Sequence, residues 1–154
     1  MPLIEGKITV LDVNIAIILP RFNESIGKML LKGAETAFKQ KGGKPSDLTV
    51  VRVPGALEIP VVAKKLIESR KFDCVIALGV LIKGETYHFE YVAKMLTHGL
   101  SFVSLRSGVP IIFEVLITDT VMQAKKRSST DMKNNKGYSA MLVALEMAQL
   151  MKRL

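Results

Sequence analysis

CVIALGVLI, residues 74–82, is apolar at every position and runs straight into KGETYHF, residues 83–89. A strand with one wet face shows polar residues at every second place. An unbroken aliphatic run instead predicts a strand covered on both faces, as in a parallel sheet. Beyond it, Phe89, Val92, Leu96, Leu100 and Val103 recur at helical spacing and trace the inner stripe of a helix.

The same alternation extends in both directions. Ile15–Leu19 is a short β-branched run, and Ile26, Met29, Leu30, Gly33, Ala34, Ala37 and Phe38 keep a helical period until Gly42-Gly43 ends it. Leu48–Val53 predicts a second strand closed by Pro54-Gly55, and Ile59, Val62, Ala63, Leu66 and Ile67 mark the helix after it. Past the third helix, Ile111–Ile117 predicts a fourth strand, followed by a short helix from about Thr120 and a long one from about Asn135 to the C-terminus. Strands alternating with helices predict a single α/β domain over residues 1–154, a parallel sheet with helices on both faces. Right-handed crossovers restrict it to flavodoxin-like or Rossmann-like strand orders.

Composition removes several classes of function. Half of the chain is apolar and no polar tract interrupts it, which excludes a disordered protein. Cys74 is the one cysteine, and it lies inside an apolar run, so neither an internal disulfide nor a cysteine metal cluster can form. MPLIEGKITVLDV lacks the features of a secretory leader, and no apolar stretch is long enough to span a bilayer, so a cytoplasmic protein is expected. The net charge of +8 raises the question of nucleic acid. The lysines are scattered along helix faces, without the interleaved aromatics or recognised module that such binding uses, and no nucleic-acid partner is expected.

In an open parallel sheet, ligands bind beyond the carboxyl ends of the strands. Those positions carry Pro20-Arg21-Phe22-Asn23, Pro54-Gly55-Ala56-Leu57-Glu58, Lys83-Gly84-Glu85-Thr86-Tyr87-His88 and Thr118-Asp119-Thr120. Gly84 predicts a tight turn into a helix whose first amides lack internal partners, a setting suited to phosphate. His88, in the first turn of that helix, can exchange protons near neutrality, although a capping or packing role fits the segment equally. His98, further along, reads as structural. Arg127 and Lys136 lie in the most basic stretch and suit an oxyanion, as they would also suit a solvated loop. Phe22 is placed to stack on a flat heterocycle or to plug the core. Neither GxxxxGK[ST] nor GxGxxG after the first strand is present, nor HExxH, so nucleotide-hydrolysing, nicotinamide and zinc-protease chemistry lose support.

The stretches IAIILPRFNE, VVRVPGALEIP, VIALGVLIKGETYHFEYVA, GVPIIFEVLITDT and NKGYSAMLVALEMAQL, in this order and spacing, resemble the 6,7-dimethyl-8-ribityllumazine synthase family. The resemblance implies a flavodoxin-like three-layer α/β/α sandwich with a four-stranded parallel sheet. It implies condensation of 5-amino-6-(D-ribitylamino)uracil with 3,4-dihydroxy-2-butanone 4-phosphate, without cofactor or metal. By the same resemblance His88 is catalytic. Phe22, Asn23, Ala56, Leu57, Glu58, Val80, Leu81, Ile82, Phe113 and Lys136 bind the pyrimidine and its ribityl chain, and Glu85, Thr86 and Arg127 bind phosphate. Phe113 is expected from a neighbouring subunit. The implied assembly is a homo-oligomer, a pentamer with a decamer or sixty-subunit shell as larger forms, and riboflavin synthase is an implied partner. The N-terminal arm, residues 1–13, is expected to add a strand to a neighbour's sheet.

Four features depart from the family pattern. SSTDMKN after Arg127 is one residue longer than usual, Lys83 replaces a commoner arginine, Glu114 replaces a glycine, and Ser139 stands where an acidic residue often follows. Two other classes are compatible with parts of the sequence: a non-enzymatic flavin or nucleotide carrier, which does not account for His88, Arg127 and Glu58 together, and a basic RNA-binding domain.

Overall fold

The computed structural model describes residues 1–154. Its sheet contains β1 (Ile15–Pro20), β2 (Thr49–Val53), β3 (Cys74–Ile82) and β4 (Ile111–Thr118), all parallel, in the order β2-β1-β3-β4. The helices are α1 (Glu24–Gln40), α2 (Ile59–Glu68), α3 (His88–Ser107), α4 (Val121–Arg127) and α5 (Lys136–Met151). This is the three-layer α/β arrangement that the alternating runs predict, with the flavodoxin-like strand order that the family resemblance implies.

The continuous apolar runs have a direct explanation in the two cores. Ile15, Ile17 and Leu19 of β1, with Cys74, Ile76 and Leu78 of β3, pack against α1 and α5. The alternate residues Ala16, Ile18, Val75 and Ala77 pack against α2 and α3. Each central strand therefore supplies both layers, and no position is left for a polar side chain. Ile76 is fully buried, a contribution of roughly 1.5–3 kcal/mol for a side chain of its kind.

Small residues bring α1 and α5 together. At Gly137 an added Cβ would overlap the Leu30 carbonyl, and at Gly33 it would overlap the Asn135 side chain. Asn135 is itself buried. It caps α5 by accepting from Tyr138 N at 3.2 Å and donates through Nδ2 to the carbonyls of Met29 and Ser129, at 3.0 and 2.9 Å. The NKG element thus joins the end of the basic loop to α1.

Element limits differ from expectation by a few residues. The first helix starts at Glu24, two residues before the first apolar position, because Asn23 in the left-handed conformation (φ 55°) turns the chain into it. The short and long C-terminal helices begin at Val121 and Lys136, with Thr120 and Asn135 as their capping residues. The N-terminal arm, expected to pair with a neighbour's sheet, has no strand pairing inside its own chain. Within the chain it lies against the C-terminal helix, where Gly6 passes too close to the Glu146 carbonyl for any side chain and Gln149 donates to Leu11 O at 2.7 Å. No helix is long and apolar enough to cross a membrane.

Candidate active site

β1 and β3 are paired only from Ile15↔Cys74 to Ile18↔Ala77, whereas β3 stays paired with β4 as far as Ile82↔Thr118. Above Ile18 the sheet parts. Pro20 ends β1 with no N–H to offer β3, so the ladder cannot continue through it. The opening lies at the switch point, between the strands whose following helices go to opposite faces of the sheet.

A cavity of about 410 Å³ fills this opening, lined by residues that follow three strands. Phe22 and Asn23 come from β1, Gly55–Glu58 from the turn after β2, and Val80–Ile82, Gly84, Thr86 and His88 from β3 and its extension. Ten of the sequence-selected positions share it: Phe22, Asn23, Ala56, Leu57, Glu58, Val80, Leu81, Ile82, Thr86 and His88. Pro20, Phe89 and Val92 line it as well. Sequence reasoning gave the last two only a packing role, and Pro20 had a signal of its own as a proline closing an apolar strand.

Each functional side chain has a local reason for its position. Phe22 is 72% exposed at the rim, so it is an open aromatic face and not a core plug. Glu58 is half-buried, and its Oε2 accepts from Gly55 N at 2.7 Å. That bond fixes the carboxylate at the cavity wall and leaves its other oxygen free to accept a hydroxyl. His88 is the first residue of α3 and is exposed, with its backbone N–H 3.4 Å from Thr86 Oγ1. Gly84 does not behave as expected: its φ is not positive and an added Cβ would meet nothing within 4 Å. What it contributes is open space at the cavity mouth, not a backbone conformation that only glycine can take. His98 is exposed on α3 and takes no part in the core.

Four sequence-selected residues lie elsewhere. Glu85 is exposed and does not reach the cavity. Phe113, on the α2/α3 side of β4, lines a separate cavity with Thr97, Leu100, Ser101 and Leu105. Arg127 and Lys136 line a third, of about 530 Å³, with Gln123, Lys126, Lys133 and Asn134. This edge cavity gathers four cations, Lys126, Arg127, Lys133 and Lys136. Within one chain these groups stand at the β4 edge, apart from the residues around Phe22 and His88.

Two perturbed groups complete the electrostatics. Burial pushes the Cys74 thiol up to about 12, helped by the nearby Asp73 charge, so this cysteine is inert at neutral pH. Burial also raises the Glu114 carboxyl, against an opposing pull from Lys136. Three or more metal-ligating side chains do not cluster anywhere in the chain.

Residues 12–152 match the family model described as 6,7-dimethyl-8-ribityllumazine synthase. The match takes in all four strands and all five helices. The chain belongs to the 6,7-dimethyl-8-ribityllumazine synthase family, transferases of riboflavin biosynthesis.

Proposed function

We propose that this protein condenses 5-amino-6-(D-ribitylamino)uracil with 3,4-dihydroxy-2-butanone 4-phosphate to 6,7-dimethyl-8-ribityllumazine, releasing phosphate and water. The observation that carries this reading is the convergence of Phe22, Glu58 and His88 on one cavity at the sheet's switch point. An open aromatic face suits a flat pyrimidine. A fixed carboxylate suits the hydroxyls of a ribityl chain, with Ala56 and Leu57 beside it. Val80, Leu81 and Ile82 present an apolar wall with backbone groups to the ring edge, near Asn23.

In this reading His88 moves protons as the pyrimidine amine adds to the ketone, as water leaves the carbinolamine and as phosphate departs. Thr86 and Glu85 offer groups to the phosphate at the start of α3. Most of the acceleration comes from holding two reactants in contact, an effect worth roughly 7–11 kcal/mol where orientation is good. No step requires a metal or an organic cofactor.

The site is completed by a second copy of the chain. Phe113 covers the stacked ring of the neighbour's pyrimidine, and Arg127 with Lys136 faces the neighbour's phosphate. The location of these three residues at the β4 edge, away from the Phe22–His88 cavity, supports this division. So does the outer surface of α3, where Tyr91, Met95, Phe102 and Leu105 are exposed at helical spacing. At the other end of the sheet β2 is an uncovered edge, which the N-terminal arm of a neighbour would pair. A pentamer is the assembly this reading adopts, in the cytoplasm. The test is purified protein mixed with both substrates: growth of lumazine fluorescence with stoichiometric phosphate is expected, and binding of the pyrimidine without turnover would favour a carrier instead.

A further inference from the structure

The turn that brings Phe22 and Asn23 to the crevice is held by no capping bond of its own. Asn23 takes the left-handed conformation (φ 55°), yet its side chain makes no hydrogen bond to the first amides of α1. A residue other than glycine keeps such a conformation only where its surroundings fix it. The side chain left without a capping role is one that lines the cavity beside Phe22.

The fixing comes from β2. On one side of the turn, Arg21 N donates to Val53 O at 2.8 Å. On the other, Arg52 Nη2 donates to Oε1 of Glu24, the first residue of α1, also at 2.8 Å. Val53 enters the α2/α3 core, so the alternation of a strand sends Arg52 toward the α1 layer. Only Phe22 and Asn23 lie between the two tethers. Lys28 Nζ also approaches Glu24 Oε1, at 3.4 Å, but from one turn along the same helix, so it adds charge without joining α1 to the sheet. The hydrogen bond from Arg52, with the charge of Lys28, holds the Glu24 carboxyl below its ordinary value, so the pair is ionised at neutral pH.

We propose that Arg52 and Glu24 are positioning residues: their ion pair joins the start of α1 to β2 and sets where Phe22 and Asn23 stand at the crevice rim. This rests on the reading that Phe22 receives the pyrimidine ring. Phe22 is exposed, so core packing does not fix its place, and the tethered backbone on either side has to do so. Without the pair, the turn keeps only the Arg21 bond to β2. The pyrimidine then meets a platform that binding must first order, and it loses affinity by that cost. The four-carbon phosphate, read as lying at the start of α3, is unaffected.

The test is direct binding of 5-amino-6-(D-ribitylamino)uracil to the assembled protein by calorimetry, alongside steady-state kinetics and thermal melting. Arg52→Met and Glu24→Ala should each raise Kd about two- to fivefold, the range that an exposed ion pair covers. The double variant should bind no more weakly than the weaker single variant, because the two residues act through one contact. Arg52→Lys, which keeps the charge, should recover part of the loss, and Lys28→Met should leave Kd unchanged. In all of them kcat and KM for the phosphorylated substrate should hold, and the melting temperature should move little. An unchanged Kd in Arg52→Met, additive losses in the double variant, or an equal loss in Lys28→Met would overturn the proposal. So would a joint fall in kcat and stability, the mark of a merely structural brace. A parent protein that binds the pyrimidine but makes no lumazine would sink the reaction assignment and leave this test standing. A parent that does not bind the pyrimidine would overturn both.

Discussion

Pro20 and Gly79 face each other where β1 leaves β3: a Cβ added to Gly79 would lie 3.3 Å from Pro20 Cδ. The proline ring occupies the space a side chain on β3 would need, and the crevice opens directly above it. Gly79→Val would press on Pro20 and on Val115, whose Cγ1 lies 3.7 Å from the same Cβ position. Overpacking of this kind costs about 1–3 kcal/mol, and here it falls on the floor of the cavity. We expect KM for the pyrimidine to rise roughly tenfold with assembly preserved, measured by steady-state kinetics and light scattering.

His88→Ala should lower kcat by about 10²–10³-fold and leave measurable turnover, because one acid–base group contributes less than the joining of two reactants. Substrate KM should change little. Complete inactivity in a correctly assembled variant would show that proximity is not the main source of rate.

The Asn135 cap should be among the most sensitive positions for folding. It is fully buried, and truncation would strand two carbonyls and the Tyr138 amide. Asn135→Ala should cost about 2–4 kcal/mol in denaturant unfolding, in line with several unsatisfied buried groups. Gly137→Ala should be at least as damaging, since its Cβ meets the backbone of Leu30 and not a movable side chain.

Stability should vary with pH through Glu114. Burial holds this carboxyl above its ordinary value of 4.5 in the folded chain. Between that value and the folded one, the folded state binds more protons than the unfolded state, so stability falls as pH rises through the window. The charged form then penalises the native state at neutrality. Glu114→Gln should therefore melt higher than the parent at pH 7, and the difference should shrink on acidification toward pH 4.5. A gap that widened on acidification would contradict this.

How much of this could be read from the sequence depends on whether a residue acts within its own chain. Cys74–Ile82 gave its strand without adjustment because Cys74–Val80 are buried between the helical layers, and only Leu81 and Ile82, half-buried, open onto the cavity. Phe22, Glu58 and His88 were found because the ends of parallel strands are where ligands bind, and each is the reactive group of its segment. The parting of β1 from β3 was not visible, since it depends on the register of two strands and not on either alone. Gly84 was misread because a glycine after a strand suggests a special turn, when here it only leaves space. Glu114 stood out as a departure, but its half-buried place between Ile112 and Leu116 on the α1/α5 face of β4 needed the packing of the strand. The roles of Phe113, Arg127 and Lys136 came from family resemblance, because one chain does not bring them to the cavity that they are proposed to serve.

The most direct test of a site built by two copies uses two variants that each lack one half. His88→Ala removes a group from the crevice, and Arg127→Ala removes one from the β4 edge. Both should be severely impaired alone, and light scattering should give each a particle of several subunits. After unfolding and refolding together in equal amounts, about one quarter of the junctions between neighbours in a ring should combine an intact crevice with an intact edge. Recovery of lumazine formation to about a quarter of the parent rate is the predicted result. Activity no higher than the average of the two variants, from particles shown to contain both, would contradict it.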